Sequence, residues 1–188
     1  MSTNVTRSFM IVLAFACLTV CLTANRVPAE EAFSSKTIDI GMVVRDIDKS
    51  VKFYTEALGM KEVAGFSVPA EFASKVGLTD GKKLDIRVLT LGDGPSATKL
   101  KLMQIPEVES KKFRNRFIHT TLGVSYITLH VTDTKAAVAK LKAHKIKTLK
   151  ESPLPLPEPL PSSVFLTMVR DPDGNFVELV GPNKQAVQ

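Results

Sequence analysis

The stretch TIDIGMVVRDIDKSVKFYTEALGM, Thr37 to Met60, has a partner in SYITLHVTDTKAAVAKLKAHKIK, Ser125 to Lys147. In the first, Ile38, Ile40, Met42 and Val44 alternate with Asp39, Gly41 and Val43, which is the period of two that a strand requires. Asp46 or Asp48 is placed to cap a following helix with Val51, Tyr54 and Leu58 on one face, and Gly59 supplies its stop. In the second, Ile127, Leu129 and Val131 alternate with Tyr126, Thr128 and His130, Asp133 is placed to cap, and Val138 and Leu141 continue a helix. The two stretches align without gaps at a spacing of 87 residues, Asp39 onto Tyr126 and Asp46 onto Asp133. A repeat of this size predicts two similar halves that stack, not a solenoid of many units.

Each half continues with strands. Leu84–Leu91 and Thr98–Met103 flank a Gly-Asp-Gly-Pro turn, and Val164–Val169 and Phe176–Val180 flank Asp171-Pro172-Asp173-Gly174. Between Gly65 and Gly81 the sequence PAEFASKVGL has room for a short helix. Pro153, Pro155, Pro157, Pro159 and Pro161 alternate in SPLPLPEPLP, which favours an extended, stiff connection on the surface; a lid over a cavity or a docking segment is the functional alternative.

The chain opens differently. Arg7 precedes FMIVLAFACLTVCLTA, Phe9 to Ala24, a run shorter than the roughly 20 apolar residues a membrane span needs. A basic flank, a short apolar run and Val27-Pro28-Ala29 together predict a signal peptide over residues 1–29, cleaved after Ala29. The expected location is therefore exported, periplasmic or extracellular, with membrane contact only if this segment is retained or lipidated. Both cysteines, Cys17 and Cys21, lie inside it, so the mature chain has no disulfide, thiolate ligand or cysteine nucleophile. The leader carries two arginines and no acid, so its loss lowers the formal charge from +6 to +4. The remaining lysines are interspersed with acids, without a basic stripe or interleaved aromatics, which argues against nucleic acid as a partner.

The pattern strand–Asp46-x-x-x-Ser50-x-x-Phe53-Tyr54-x-x-x-Leu58-Gly59, together with Asp171-Pro172-Asp173-Gly174-Asn175-x-x-Glu178-Leu179, resembles the vicinal oxygen chelate superfamily. That group includes glyoxalase I, bleomycin-resistance proteins and extradiol dioxygenases. The resemblance covers Thr37 to Pro182 and implies an α+β fold: two βαβββ modules whose mixed sheet curls around a shared cavity. It divides the chain into a signal peptide (1–29), a linker (30–36), a first module (37–106), a connector (107–124), a second module (125–182) and a tail (183–188). Two modules in one chain can close a cavity alone, although relatives also pair modules between copies, which leaves a homodimer open.

Many relatives hold a divalent metal on four inward positions, which map here to Asp39, Lys101, Tyr126 and Glu178. Glu178 is the type those enzymes use, and Asp39 can ligate through oxygen. A charged lysine has no lone pair, and Lys101 would compete with a cation for the same carboxylates. With no imidazole or thiolate in the set, only harder ions such as magnesium, calcium or manganese suit it. The expected cofactor is thus none, with a divalent metal on Glu178 and Asp39 as the alternative. Glu178, Lys101 and Tyr126 are the candidate catalytic groups, with Glu178 as base and Lys101 or Tyr126 stabilising an enolate-like oxygen. Strand parity adds Asp39, Val43, Met103, Thr128, His130 and Phe176 as candidate ligand-binding residues. His130 lies four residues along from Tyr126, about 13 Å, too far to share its shell.

The function expected from this set is binding of a small oxygenated molecule in the cavity without a catalytic metal. The alternatives are a metal-dependent or lysine-assisted lyase or isomerase of glyoxalase type, and an extracytoplasmic interaction domain with a vestigial site. Export argues against members that use a cytosolic thiol cosubstrate.

Overall fold

The structure, a computed structural model, describes residues 34–35, 37–112 and 115–184. The expected signal peptide, its cysteines and most of the linker lie outside the described residues.

The first half runs β1 (Asp39–Val43), α1 (Ile47–Lys52), β2 (Lys61–Val68), α2 (Ala70–Lys75), β3 (Leu84–Leu91) and β4 (Thr98–Met103). The second runs β5 (Tyr126–His130), α3 (Thr134–Ala143), β6 (Leu154–Pro155), β7 (Val164–Arg170) and β8 (Phe176–Pro182). Each half builds a four-stranded mixed sheet, in the orders β1-β4-β3-β2 and β5-β8-β7-β6. β1 and β4 pair in parallel, as do β5 and β8, while the remaining neighbours are antiparallel. The strand–helix–three-strand plan therefore occurs twice, and the sheets do not close into a barrel.

Local chemistry explains the helices. Asp46 caps α1 by accepting from the Lys49 amide, and Asp133 caps α3 by accepting from the Lys135 amide. After Lys52 the first helix widens into a π turn, Phe53–Ala57, which keeps Phe53, Tyr54 and Ala57 all buried. Gly59, at φ +85°, then reverses the chain in a conformation that costs other residues steric strain.

One face of each sheet packs against the helices. Leu100 and Leu102 of β4 and Val177 and Leu179 of β8 join Val51, Tyr54 and Leu141 in one core spanning both modules. Burying a leucine such as Leu102 completely stabilises the fold by about 1.5–3 kcal/mol. Tyr54 and Asp171 bolt the modules together inside this core through a 3.1 Å hydrogen bond. The backbone N–H of Arg45 adds a second link by donating to Asp173.

Two departures from simple alternation are instructive. β3 is buried on both faces at its centre, because Leu84, Ile86 and Val88 form a smaller cluster with Val68, Met103 and Ile105 opposite the helices. The proline run supplies an edge strand as well as a connection: Leu154 and Pro155 pair with Leu166 and Phe165. An edge is the sheet position that tolerates a residue without an N–H.

Candidate functional site

The face of each sheet turned away from the helices carries the polar candidates. On the first sheet, Asp39 stands opposite Lys99 and Gly41 opposite Lys101. Glycine leaves the position beside Lys101 without a side chain, and the lysine reaches diagonally to Asp39 at 2.8 Å. The Phe66 ring lies 6.0 Å from the same ammonium, at the limit of a cation–π contact. The hydrogen bond from Lys101, then its charge and that of Lys99, hold the Asp39 carboxyl below its ordinary range. A lowered carboxyl favours the folded state above the unfolded value near 3.8, and that contribution is lost as pH falls through the lowered one.

On the second sheet, Thr128 and Glu178 are direct cross-strand neighbours, and the Thr128 hydroxyl donates to Glu178 at 2.6 Å. That bond fixes one carboxylate oxygen and leaves the other able to accept. Tyr126 is 45% exposed, and its hydroxyl makes no hydrogen bond to a described residue. His130 is exposed, and its imidazole makes no such bond either. Val43 is exposed, and Met103 is half-buried against the Ile86 and Val88 cluster.

Phe176 is differently placed. It is only 6% exposed, because the Arg170 guanidinium lies 3.9 Å above its ring. It therefore supports Arg170 instead of presenting a surface of its own. Arg170 was not among the sequence candidates, although parity along Leu166, Met168 and Arg170 places it on this face opposite Phe176. Extending that strand by one residue beyond Val169 finds it.

The structure thus forms two polar pairs, Asp39–Lys101 and Thr128–Glu178. A metal does not fit this donor set. Asp39 is occupied by an ammonium, Lys101 has no lone pair to give, and Tyr126 stands where imidazole would be needed for a softer ion. Among the described residues, no three or more of His, Cys, Asp and Glu come together to hold one. A separate recess of 820 Å³ lies away from these pairs, between the connector and the β7–β8 turn.

Comparison with known proteins agrees with this architecture. The family model described as Glyoxalase/Bleomycin resistance protein/Dioxygenase superfamily matches residues 38–179. A glyoxalase family protein from Bacillus cereus superposes with a TM-score of 0.65 at 18% identity, covering 81% of this chain and 97% of that one. The trypanothione-dependent glyoxalase I of Leishmania major gives a TM-score of 0.54 at 27% identity, covering 79% of this chain and 87% of that one. A glyoxalase I mutant from Zea mays gives 0.58 at 21% identity, covering 78% of this chain and 44% of that one. No curated protein matches the chain in sequence. With a family model spanning both modules and the doubled strand–helix–three-strand plan beneath it, the chain belongs to the glyoxalase/bleomycin resistance protein/dioxygenase superfamily.

Proposed function

We propose that this protein is an exported ligand-binding member of the superfamily that recognises a small oxygenated molecule without a catalytic metal. The observation that carries this reading is the 2.8 Å Asp39–Lys101 pair, a fixed cation where metal-bearing relatives place a ligand. Lys101 offers an ammonium to a carbonyl, enolate or hydroxyl oxygen of the ligand. Glu178, steadied by Thr128, accepts from a hydroxyl. Val43 and Phe66 supply exposed apolar walls, and Tyr126 an exposed phenol. This mixture of apolar surface with a few fixed polar groups suits a small-molecule site.

The resemblance at 27% identity to a glyoxalase I supports a second reading, a lysine-assisted lyase or isomerase. Here Glu178 removes a proton next to a carbonyl while Lys101 stabilises the oxygen that becomes negative. One charge in place of two makes this a weaker stabiliser than a divalent ion. In a third reading the Asp39–Lys101 pair plugs a vestigial site and the domain serves another protein.

A screen of hydroxycarbonyl, dicarbonyl and vicinal-diol compounds by ligand-observed NMR separates the three. Binding of one class, weakened at least tenfold in both Lys101→Ala and Glu178→Gln, is the expected result. Turnover of the bound compound favours the second reading. Absence of binding to the whole panel, with neither variant differing from wild type, favours the third and overturns the first two. The intact mass of exported material tests the leader in the same preparation: a chain beginning at Glu30 is expected, and one retaining Met1 overturns export with cleavage.

A further inference from the structure

The connector that joins the two modules brings five cations to one place. Among the described residues, Arg45, Lys111, Lys112, Arg116 and Arg170 line the 820 Å³ recess, against one lining acid, Glu109. They come from three parts of the chain: Arg45 follows β1, Arg170 ends β7, and the other three belong to the connector. None of the five forms an ion pair with a described carboxylate. Asp173, the nearest acid on the β7–β8 turn, accepts from the Arg45 backbone amide.

Arg170 is built into the wall. Its terminal nitrogens donate to the Asn115 side-chain and backbone oxygens and to the backbone oxygens of Arg116 and Gly174. Its face rests on Phe176. All these partners are neutral, so the guanidinium is held rigid while its charge stays uncompensated. Lys112 approaches the same point. A methyl group at Gly174 would come 3.0 Å from the Lys112 ammonium and 4.0 Å from an Arg170 terminal nitrogen. Like charges repel, so a fold that converges them without a carboxylate spends stability that an anion would restore. The absence of a side chain at Gly174, whose φ is +92°, lets the Lys112 side chain lie against this turn.

We infer that this recess binds the phosphate group of a small phosphate-bearing molecule. Arg170 supplies a fixed positive field, and Arg45, Lys111, Lys112 and Arg116 supply the N–H donors that a doubly charged oxyanion accepts. A concave volume of 820 Å³ has room for the rest of a small molecule beyond its phosphate. Cations converging on a recess suit a compact anion better than a flat bilayer or an extended nucleic-acid backbone, which call for a stripe or a plane of charge.

The test is titration calorimetry of the protein with inorganic phosphate and with pyrophosphate, at constant ionic strength set with sodium chloride. Saturable one-to-one binding is expected, weakened at least tenfold in the Lys112→Gln/Arg116→Gln double variant. The control is Lys135→Gln/Lys142→Gln on α3, which removes the same net charge at a distance and is expected to bind as wild type does. Equal weakening in both double variants, or no saturable binding in wild type, overturns the site. Binding to vesicles rich in phosphatidylglycerol without binding to either free anion overturns it in favour of a membrane surface. None of these variants touches Lys101 or Glu178, so the result stands apart from the ligand screen above.

Discussion

Replacing Asp171 with alanine will lower the unfolding free energy by about 3 kcal/mol or more. Asp171 is 5% exposed and accepts four hydrogen bonds: from the Tyr54 hydroxyl, the Asp173 and Asn175 amides and the Asn175 side chain. Deleting the carboxylate orphans all of these donors at once, and each buried donor left unpaired costs about 1–3 kcal/mol, less where water reaches it. The melting temperature should fall by roughly 6–12 °C for a domain of this size. Tyr54→Phe removes only one of the four bonds and should cost about 1–2 kcal/mol. Tyr54 also gives the bolt a pH signature. Burial, then the nearby negative charge of Asp171, push its hydroxyl well above 10.0. A raised value keeps the group neutral in the fold, so its contribution is complete below the unfolded value near 10 and is lost as pH rises beyond it. Denaturant titrations of wild type and Tyr54→Phe should therefore converge above pH 10. An Asp171→Ala variant that melts with wild type would show that the Tyr54–Asp171 bond does not hold the modules together.

Substituting Lys101 with glutamate is expected to add a divalent-cation site beside Asp39. The ammonium fills the place beside Asp39 that a metal would need. Reversing its charge puts two carboxylates side by side, a pair that suits a hard divalent ion. At ten times its dissociation constant, such an ion stabilises the fold by about 1.4 kcal/mol. Manganese should then raise the melting temperature of Lys101→Glu by roughly 3–6 °C, while leaving wild type unchanged. Without the ion the variant should melt below wild type, because the like charges repel. Equal stabilisation of both proteins by manganese would mean that Lys101 does not exclude the ion.

Much of this fold could be read from period and spacing. The repeat at 87 residues makes β1 and β5 equivalent strands and puts the two capping aspartates at equivalent positions. The same parity argument puts Leu100, Leu102, Val177 and Leu179 on the helix side, because strand periodicity admits only two choices and burial selects one. Lys101 reaching Asp39 follows from that register. What resisted reading was not periodic. β6 hides in a run of alternating prolines, whose composition signals a connector, and only edge pairing with β7 reveals the strand. Phe176 has the parity of a ligand contact, but its burial depends on Arg170 lying over it from the neighbouring strand, a contact that no single strand displays. The basic recess was invisible for the same reason. Its cations lie at residues 45, 111, 112, 116 and 170, dispersed along the chain and brought together by the connector and the β7–β8 turn.

In the proposed function Lys101 and Glu178 act as an organic-ligand site in place of a metal centre. Elemental analysis and native mass spectrometry of protein expressed and purified without chelator examine that point. The expected mass is that of the chain alone or with a small organic molecule, with transition-metal and alkaline-earth content far below one per chain. One divalent ion per chain, retained through purification and lost in Glu178→Ala, would overturn it.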